Sequence, residues 1–323
     1  MKMQFAKMLA PLQRLFWRAQ ISVLHACPPL SDIASGASLG AEISPKAWVK
    51  AIIKVVLYTP RALLFHYKNK RKDRLVLARV AVYVTTRCTL NCDKCIAHIP
   101  DMKRHRNVPW DELFHDIQAL FSCVDHIYTV DITGGEALLH PDLDAVLRLC
   151  ADAGKVSSIV VATNGTIIPE AKVLAALRET GARVRISRYP AVLQPGVEAL
   201  KSILKDNKIQ YTHASGTYWR DSGAFGQLQQ GSEMHRFSLC ILSLYTSLVG
   251  GKLHLCGKAG LMVEEGIVAH CEEDYIDLRA VSPEVFRGQW RVLEKKRAVA
   301  ACSHCLGYTH ENPKIPVAEQ RQP

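Results

Sequence analysis

Acidic residues are nearly missing from the start of this chain. Residues 1–80 hold 3 Asp+Glu against 14 Lys+Arg, while the rest of the 323 residues holds 27 of each. The whole formal excess of +11 therefore precedes residue 81. Such a flank points to an anionic partner and says nothing of the remainder. Aromatic residues interleaved with basic ones are missing too, so no nucleic-acid partner is expected. No run of about 18 uncharged apolar residues occurs, so no membrane span is expected. Nor does the chain have the small size of a disulfide scaffold. With 48% hydrophobic residues it can bury an ordinary core. Its 11 cysteines are then free thiols or metal ligands in a reducing cytoplasm.

The N-terminal region reads as a basic, mostly helical extension over residues 1–75. Phe5, Met8, Leu12, Leu15, Phe16 and Ile21 give a rough apolar stripe. Residues 27–45 form a linker, with Pro28, Pro29, Gly36, Gly40 and Pro45. Residues 46–67 read as an amphipathic helix with Lys46, Lys50 and Lys54 on one face and Val49, Ile52, Ile53 and Val56 on the other. Leu24 to Cys27 has the outline of a lipoprotein cleavage site, but Lys7, Arg14 and Arg18 interrupt any apolar signal core. The extension either packs on the core with a solvated lysine face or lies on an anionic membrane surface.

From residue 76 the pattern becomes alternating strands and helices. Strands are expected over 77–84, 126–132, 156–162, 184–187 and 209–213, with a sixth inside 241–249. Helices are expected over 109–123, 141–153, 169–180 and 197–204, with Pro109 and Pro141 at starts and Gly181 at an end. This alternation argues for parallel strands with crossover helices. Candidate site residues then gather at the carboxyl ends of the strands.

Cys88, Cys92 and Cys95 stand with intervals of three and two residues in such a strand-end loop. Thiolates are the preferred ligands of iron–sulfur clusters, and three of them leave one iron of a cubane free for another ligand. Zinc favours Cys-x-x-Cys pairs and four protein ligands. The triplet resembles the signature of the radical S-adenosylmethionine (SAM) enzymes. In order, Gly134, Gly135 and Glu136 resemble that family's GGE motif, Thr163, Asn164 and Gly165 its TNG segment, and Val184 to Ser187 its fourth-strand segment. The resemblance implies a [4Fe–4S] cluster on the three cysteines and SAM on its open iron. Gly134, Gly135, Glu136, Asn164 and Ser187 are then the SAM contacts, with Glu136 facing the methionine ammonium. Lys94 occupies a place where many members carry an aromatic residue; in the family that position meets adenine through its backbone.

Five more cysteines follow residue 236. Gly250 and Gly251, between two β-rich runs, read as a hairpin turn. Cys240 before it, Cys256 after it and the distant pair Cys302 and Cys305 make a four-thiolate site, with Cys271 spare. Cysteines alone leave zinc and iron–sulfur open. The arrangement resembles the twitch domain, a shortened SPASM domain, and most of all the twitch-bearing dehydrogenases of aminocyclitol biosynthesis. That resemblance implies a second, auxiliary [4Fe–4S] cluster on Cys240, Cys256, Cys302 and Cys305. Cys123 and Cys150 fall on apolar helix faces and read as core thiols.

The expected fold is α/β: a partial (β/α)6 radical SAM barrel over 76–235, a small α+β twitch domain over 236–310, a tail over 311–323 and the basic extension. The resemblance implies an oxidoreductase that cleaves SAM and oxidises or epimerises a carbohydrate-like substrate, fed by a donor such as flavodoxin or ferredoxin. It would be cytoplasmic, with a peripheral membrane contact through the basic helix. A peptide-modifying maturase and a non-enzymatic, metal-stabilised membrane-surface binding protein are the alternatives. No catalytic residue is assigned. Arg188, Tyr189, Trp219, Arg220 and His254 are polar or aromatic residues in suitable segments.

Overall fold

A computed structural model describes residues 73–214 and 216–322. The helices expected over 1–67, and Cys27, lie outside the described residues. Among the described residues no helix is long and apolar enough to cross a membrane.

The order of elements follows the alternation read from the sequence. It begins β1 (Val76–Thr85), α1 (Trp110–Cys123), β2 (His126–Gly134), α2 (Leu143–Asp152), β3 (Val156–Thr163), α3 (Ala171–Thr180) and β4 (Arg183–Ile186). It continues with α4 (Val197–Asp206), β5 (Tyr211–His213), β6 (Trp219–Arg220), α5 (Glu233–Leu239), β7 (Thr246–Val249) and β8 (Lys252–His254). It ends with α6 (Gly257–Glu264), β9 (Tyr275–Asp277), α7 (Pro283–Leu293) and β10 (Lys314–Ile315). Local signals explain the boundaries. Pro109 stands just before α1, and Gly181, at φ 65, ends α3 in the left-handed conformation that glycine adopts without strain.

One sheet runs in the order β5-β4-β3-β2-β1-β7-β8-β9. Strands β1 to β5 pair in parallel, and β7 pairs in parallel with β1. The sixth parallel strand thus falls within the expected range, but it seats beside β1 and not outside β5. Strands β8 and β9 extend the sheet antiparallel. The turn into β8 is made by Gly250 and Gly251, at φ 56 and 74, the left-handed pair that suits a two-residue hairpin.

Strand alternation separates two faces. Val80, Val82, Val84, Val130, Ile132, Val161, Val184 and Ile186 are buried in the main core with Leu113, Ile117, Leu120, Leu143 and Leu147 of the helices. Alternate residues, among them Ala81, Tyr83, Asp131, Thr133 and Arg185, line a cavity on the other face. The C-terminal helix α7 lies against α1. Phe286 of α7 is fully buried within that same core. Arg279 forks onto Asp116 at 2.7 and 2.9 Å, and Arg287 meets Asp125 at 2.6 Å.

A shared core predicts shared unfolding. Phe286→Ala should cost about 3–5 kcal/mol and lower one transition of the metal-free protein. Two separated transitions in calorimetry would show that the C-terminal segment folds on its own.

Candidate functional site

The loop after β1 and the loop after β2 lie directly on each other. The Gly135 amide donates to the Thr85 carbonyl at 3.0 Å, and the Glu136 amide to the Arg87 carbonyl at 2.8 Å. A Cβ at Gly134 would collide with the Thr85 carbonyl oxygen, and one at Gly135 with that of Arg87. These glycines let backbone approach backbone, immediately before Cys88.

Glu136 is fully buried. Its carboxylate accepts from the Leu138 amide at 3.0 Å and the Asn164 amide at 2.6 Å, joining the ends of β2 and β3. Burial pushes its pKa up, against the pull of those bonds. The Asn164 side chain donates to Thr89 Oγ1 at 2.8 Å and stands 3.7 Å from Cys88 Sγ, so it reaches back to the cysteine loop. Ser187 follows β4, its amide bonded to the Thr163 carbonyl at 2.9 Å. Gln194 locks this corner. Its amide group donates to the carbonyls of Asn164 and Ser187 and accepts from the Tyr189 amide at 3.0 Å. Glu136, Asn164 and Cys88 are thus brought together, with Ser187 one strand away.

The three loop cysteines are each met by hydrogen-bond donors. Backbone amides of Ala97, His98 and Ile99 face Cys95 sulfur. Lys94 and His98, both left-handed at φ 53 and 52, give the loop that curl. Lys94 Nζ stands 3.5 Å from Asp221. Cys92 Sγ accepts from Gln320 Nε2 at 3.1 Å. The tail holding Gln320 is strapped to the loop. Gln320 Oε1 accepts from the Asn91 amide at 2.9 Å, the Arg321 amide donates to the Asn91 carbonyl at 2.9 Å, and Arg321 meets Asp101 at 2.6 Å. Burial pushes the thiol of Cys92 up to about 11, and those of Cys88 and Cys95 upward as well.

Cys240, Cys256, Cys302 and Cys305 line a single cavity. The Tyr308 amide donates to Cys240 Sγ and the Gly307 amide to Cys305 Sγ, both at 3.2 Å. Burial pushes Cys240, Cys256 and Cys302 up to about 12. Cys271 is not among the lining residues, and Cys123 and Cys150 are buried in the main core. All cysteines among the described residues are free. Among the described residues no three Cys, His, Asp or Glu side chains converge on a point where one metal ion could sit.

A second cavity, of about 300 Å³, occupies the concave face of the sheet. Ile96 and Ala97 border it just after Cys95, and Leu242 and Lys258 belong to both cavities. Its floor carries Asp131, 2% exposed. Asp131 accepts from Arg79 through both oxygens and from Arg185 Nη1 at 2.7 Å. Burial alone would raise the Asp131 pKa; the Arg185 and Arg79 guanidinium groups outweigh it and hold the carboxyl below the ordinary range. Arg79 in turn lies 4.7 Å from the Tyr245 ring centre.

The polar residues singled out earlier lie elsewhere. Arg188 is exposed, and Tyr189 stands edge-on to Trp219 with ring centres 5.8 Å apart. Arg220 donates to the carbonyls of His310 and Asn312, each at 2.8 Å. His254 is buried beside Tyr275, and burial pushes its pKa down to about 3. None of them lines the concave cavity. Sequence reading missed Asp131 and Lys258 and took Arg185 only as part of the Val184 to Ser187 segment, although a charge inside an otherwise apolar strand was the available signal for Asp131.

Residues 82–206 match the family described as the Radical SAM superfamily. That family implies a [4Fe–4S] cluster and SAM. A curated relative, the GTP 3',8-cyclase of Aliarcobacter butzleri (strain RM4018), is 35% identical over 109 residues, 33% of this chain and 32% of the relative. The chain thus matches about a third of that relative's length. Among solved structures, BtrN in complex with AdoMet and 2-DOIA is 17% identical over 76% of this chain and 97% of its own, with a TM-score of 0.46. AnSMEcpe with bound AdoMet and the Cp18Cys peptide is 17% identical over 43% of this chain and 42% of its own, with a TM-score of 0.35. Likeness at this level says nothing of substrate.

Two outcomes are expected. Gly135→Ala should destabilise the protein by about 1–3 kcal/mol, because backbone, not a flexible side chain, must yield; an unchanged denaturant midpoint would sink the docking argument. Asp131 has a folded-state pKa below its unfolded value, so its stabilisation is complete above about pH 4 and lost as pH falls through the lower folded value. Asp131→Asn should cost about 3–5 kcal/mol at pH 7 and show a shallower acid limb than wild type in unfolding titrations.

Proposed function

We propose that this protein is a radical SAM oxidoreductase that oxidises or epimerises a carbohydrate-like substrate: a sugar, cyclitol or sugar conjugate. The reading assigns Cys88, Cys92 and Cys95 to a [4Fe–4S] cluster that binds SAM. It assigns Cys240, Cys256, Cys302 and Cys305 to a second, auxiliary [4Fe–4S] cluster. With SAM bound, the first cluster would supply the hydrogen-abstracting chemistry, and the second would accept the electron released as an oxidised substrate gives up its proton to water or a nearby base.

The donor sets fit these groups. Amide N–H groups aimed at sulfur, as at Cys95, Cys240 and Cys305, are the bonds by which proteins hold and tune cluster thiolates. Glu136 takes the Leu138 and Asn164 amides and the Thr163 hydroxyl, three of the roughly four acceptor positions of a carboxylate, which leaves one for an ammonium. The position of the concave cavity carries the reading. It starts beside Cys95 and shares Leu242 and Lys258 with the four-cysteine cavity. A substrate held there lies between the two cysteine sets. Hydroxyls of Tyr83, Thr133, Tyr245 and Ser247 on its wall suit a polyol. The protein's part is to orient that substrate and exclude water.

The setting proposed is the cytoplasm, with a flavodoxin- or ferredoxin-like electron donor and a peripheral contact of the basic extension with anionic lipid. The name of the curated relative adds a nucleotide, itself a sugar conjugate, to the compounds worth screening.

Anaerobic reconstitution with iron and sulfide counts tests this. Wild type should hold about eight irons, and the Cys88/Cys92/Cys95→Ala variant about four, as two cubanes require. The wild type alone should release 5′-deoxyadenosine from SAM. Four irons falling to none, with zinc at the C-terminal cysteines, would remove the electron acceptor and the oxidation with it.

A further inference from the structure

We infer that Gln320 is a positioning residue of the first cluster: its side-chain amide holds the Cys92 thiolate and raises the reduction potential of the iron–sulfur group bound there. The inference rests on the assignment of Cys88, Cys92 and Cys95 to a [4Fe–4S] cluster and adds to that set a residue from a distant segment.

The three loop sulfurs are not served alike. Cys95 is met by the amides of Ala97, His98 and Ile99, and Cys88 by that of Leu90, all within or just after the loop itself. Cys92, 6% exposed, has a distant side chain as its foremost donor, Gln320 Nε2 at 3.1 Å. The partners of that amide group fix which way round it stands. Gln320 Oε1 accepts from the Asn91 amide at 2.9 Å, and Nε2 donates also to the Ala318 carbonyl at 2.7 Å. Turned over, oxygen would face a sulfur and a carbonyl, and N–H would face N–H. An N–H therefore points at the sulfur.

The backbone around Gln320 delivers it. The Asp93 amide donates to the Glu319 carbonyl at 2.6 Å and the Arg321 amide to the Asn91 carbonyl at 2.9 Å. The two segments thus form an antiparallel bridge centred on Cys92 and Gln320. Arg321 pins it by donating to Asp101 at 2.6 Å and to the Pro100 carbonyl at 3.3 Å. Ala318, 1% exposed, is left-handed at φ 53, a conformation that residues with a Cβ rarely adopt. Such a conformation persists where the surroundings demand it. Here it turns the chain so that Glu319 and Gln320 meet the loop. A donor to a cluster sulfur favours the reduced state, which carries one more negative charge, and so raises the potential.

Full-length protein reconstituted without oxygen is titrated with reductant and followed by electron paramagnetic resonance, the SAM-responsive signal reporting the first cluster. Gln320→Leu removes the donor. Gln320→Glu, at pH 8, removes it and keeps an acceptor for the Asn91 amide. Each should shift the reduced-to-oxidised ratio about tenfold toward the oxidised form, a potential ~59 mV lower for one electron. Arg321→Ala loosens the bridge with Gln320 in place; it should lower thermal stability and keep the potential. Loss of the cluster from both Gln320 variants but not from Arg321→Ala would equally support the inference, as a failure to hold Cys92. The inference fails if either Gln320 variant keeps the wild-type potential. It also fails if Arg321→Ala lowers the potential, or loses the cluster, as the Gln320 variants do, because the change then reports a loosened loop. A wild type with no SAM-responsive cluster would overturn the assignment of the three cysteines together with this inference; an unchanged potential with the cluster in place overturns the inference alone.

Discussion

The contact between the loops after β1 and β2 is the constraint on which the site depends. The backbone of Gly134 and Gly135 lies so close to Thr85 and Arg87 that no side chain fits between them. Two main-chain hydrogen bonds seal the approach. Everything beyond follows from it. Glu136 is carried into a fully buried position, where its carboxylate takes the Asn164 amide. Asn164 in turn reaches the loop holding Cys88. Three strand ends are stitched into one rim, and Gln194 adds the fourth.

A second constraint is the polar floor of the barrel. Strands whose outer faces are valine and isoleucine place Arg79, Asp131 and Arg185 on the inner one. Desolvating such charges is costly, and their mutual contacts recover that cost only with good geometry. Here the geometry is a fork of Arg79 onto Asp131 with Arg185 beside it. An apolar floor of similar volume would be simpler to stabilise. The polar one makes sense as a surface for a polar molecule.

The C-terminal quarter is not an appendage. Its strand β7 pairs with β1, its helix α7 shares the main core, and its last residues return to the cysteine loop. Gln320 and Cys92 lie 228 positions apart in sequence and 3.1 Å apart in space. The tail therefore supplies a donor to the very sulfur proposed as a cluster ligand. It couples the end of the chain to a loop in its first third.

Local order was legible along the chain. Hydrophobic period, prolines before helices and glycines after them fix where strands and helices run, because each is a property of a few neighbouring residues. The cysteine intervals and the Gly-Gly-Glu segment were legible for the same reason: a strand-end loop carries them within a short span. Nothing local marked Lys258, Gln194 or Gln320, which matter only for what they touch. Nor did the sequence show that β7 would close against β1, or that Asp131 would meet two arginines from strands on either side of it. Those are facts of closure. They arise when segments far apart in the chain are brought within a few ångströms, and the free energy that selects such contacts comes from burying and pairing groups across the whole sheet.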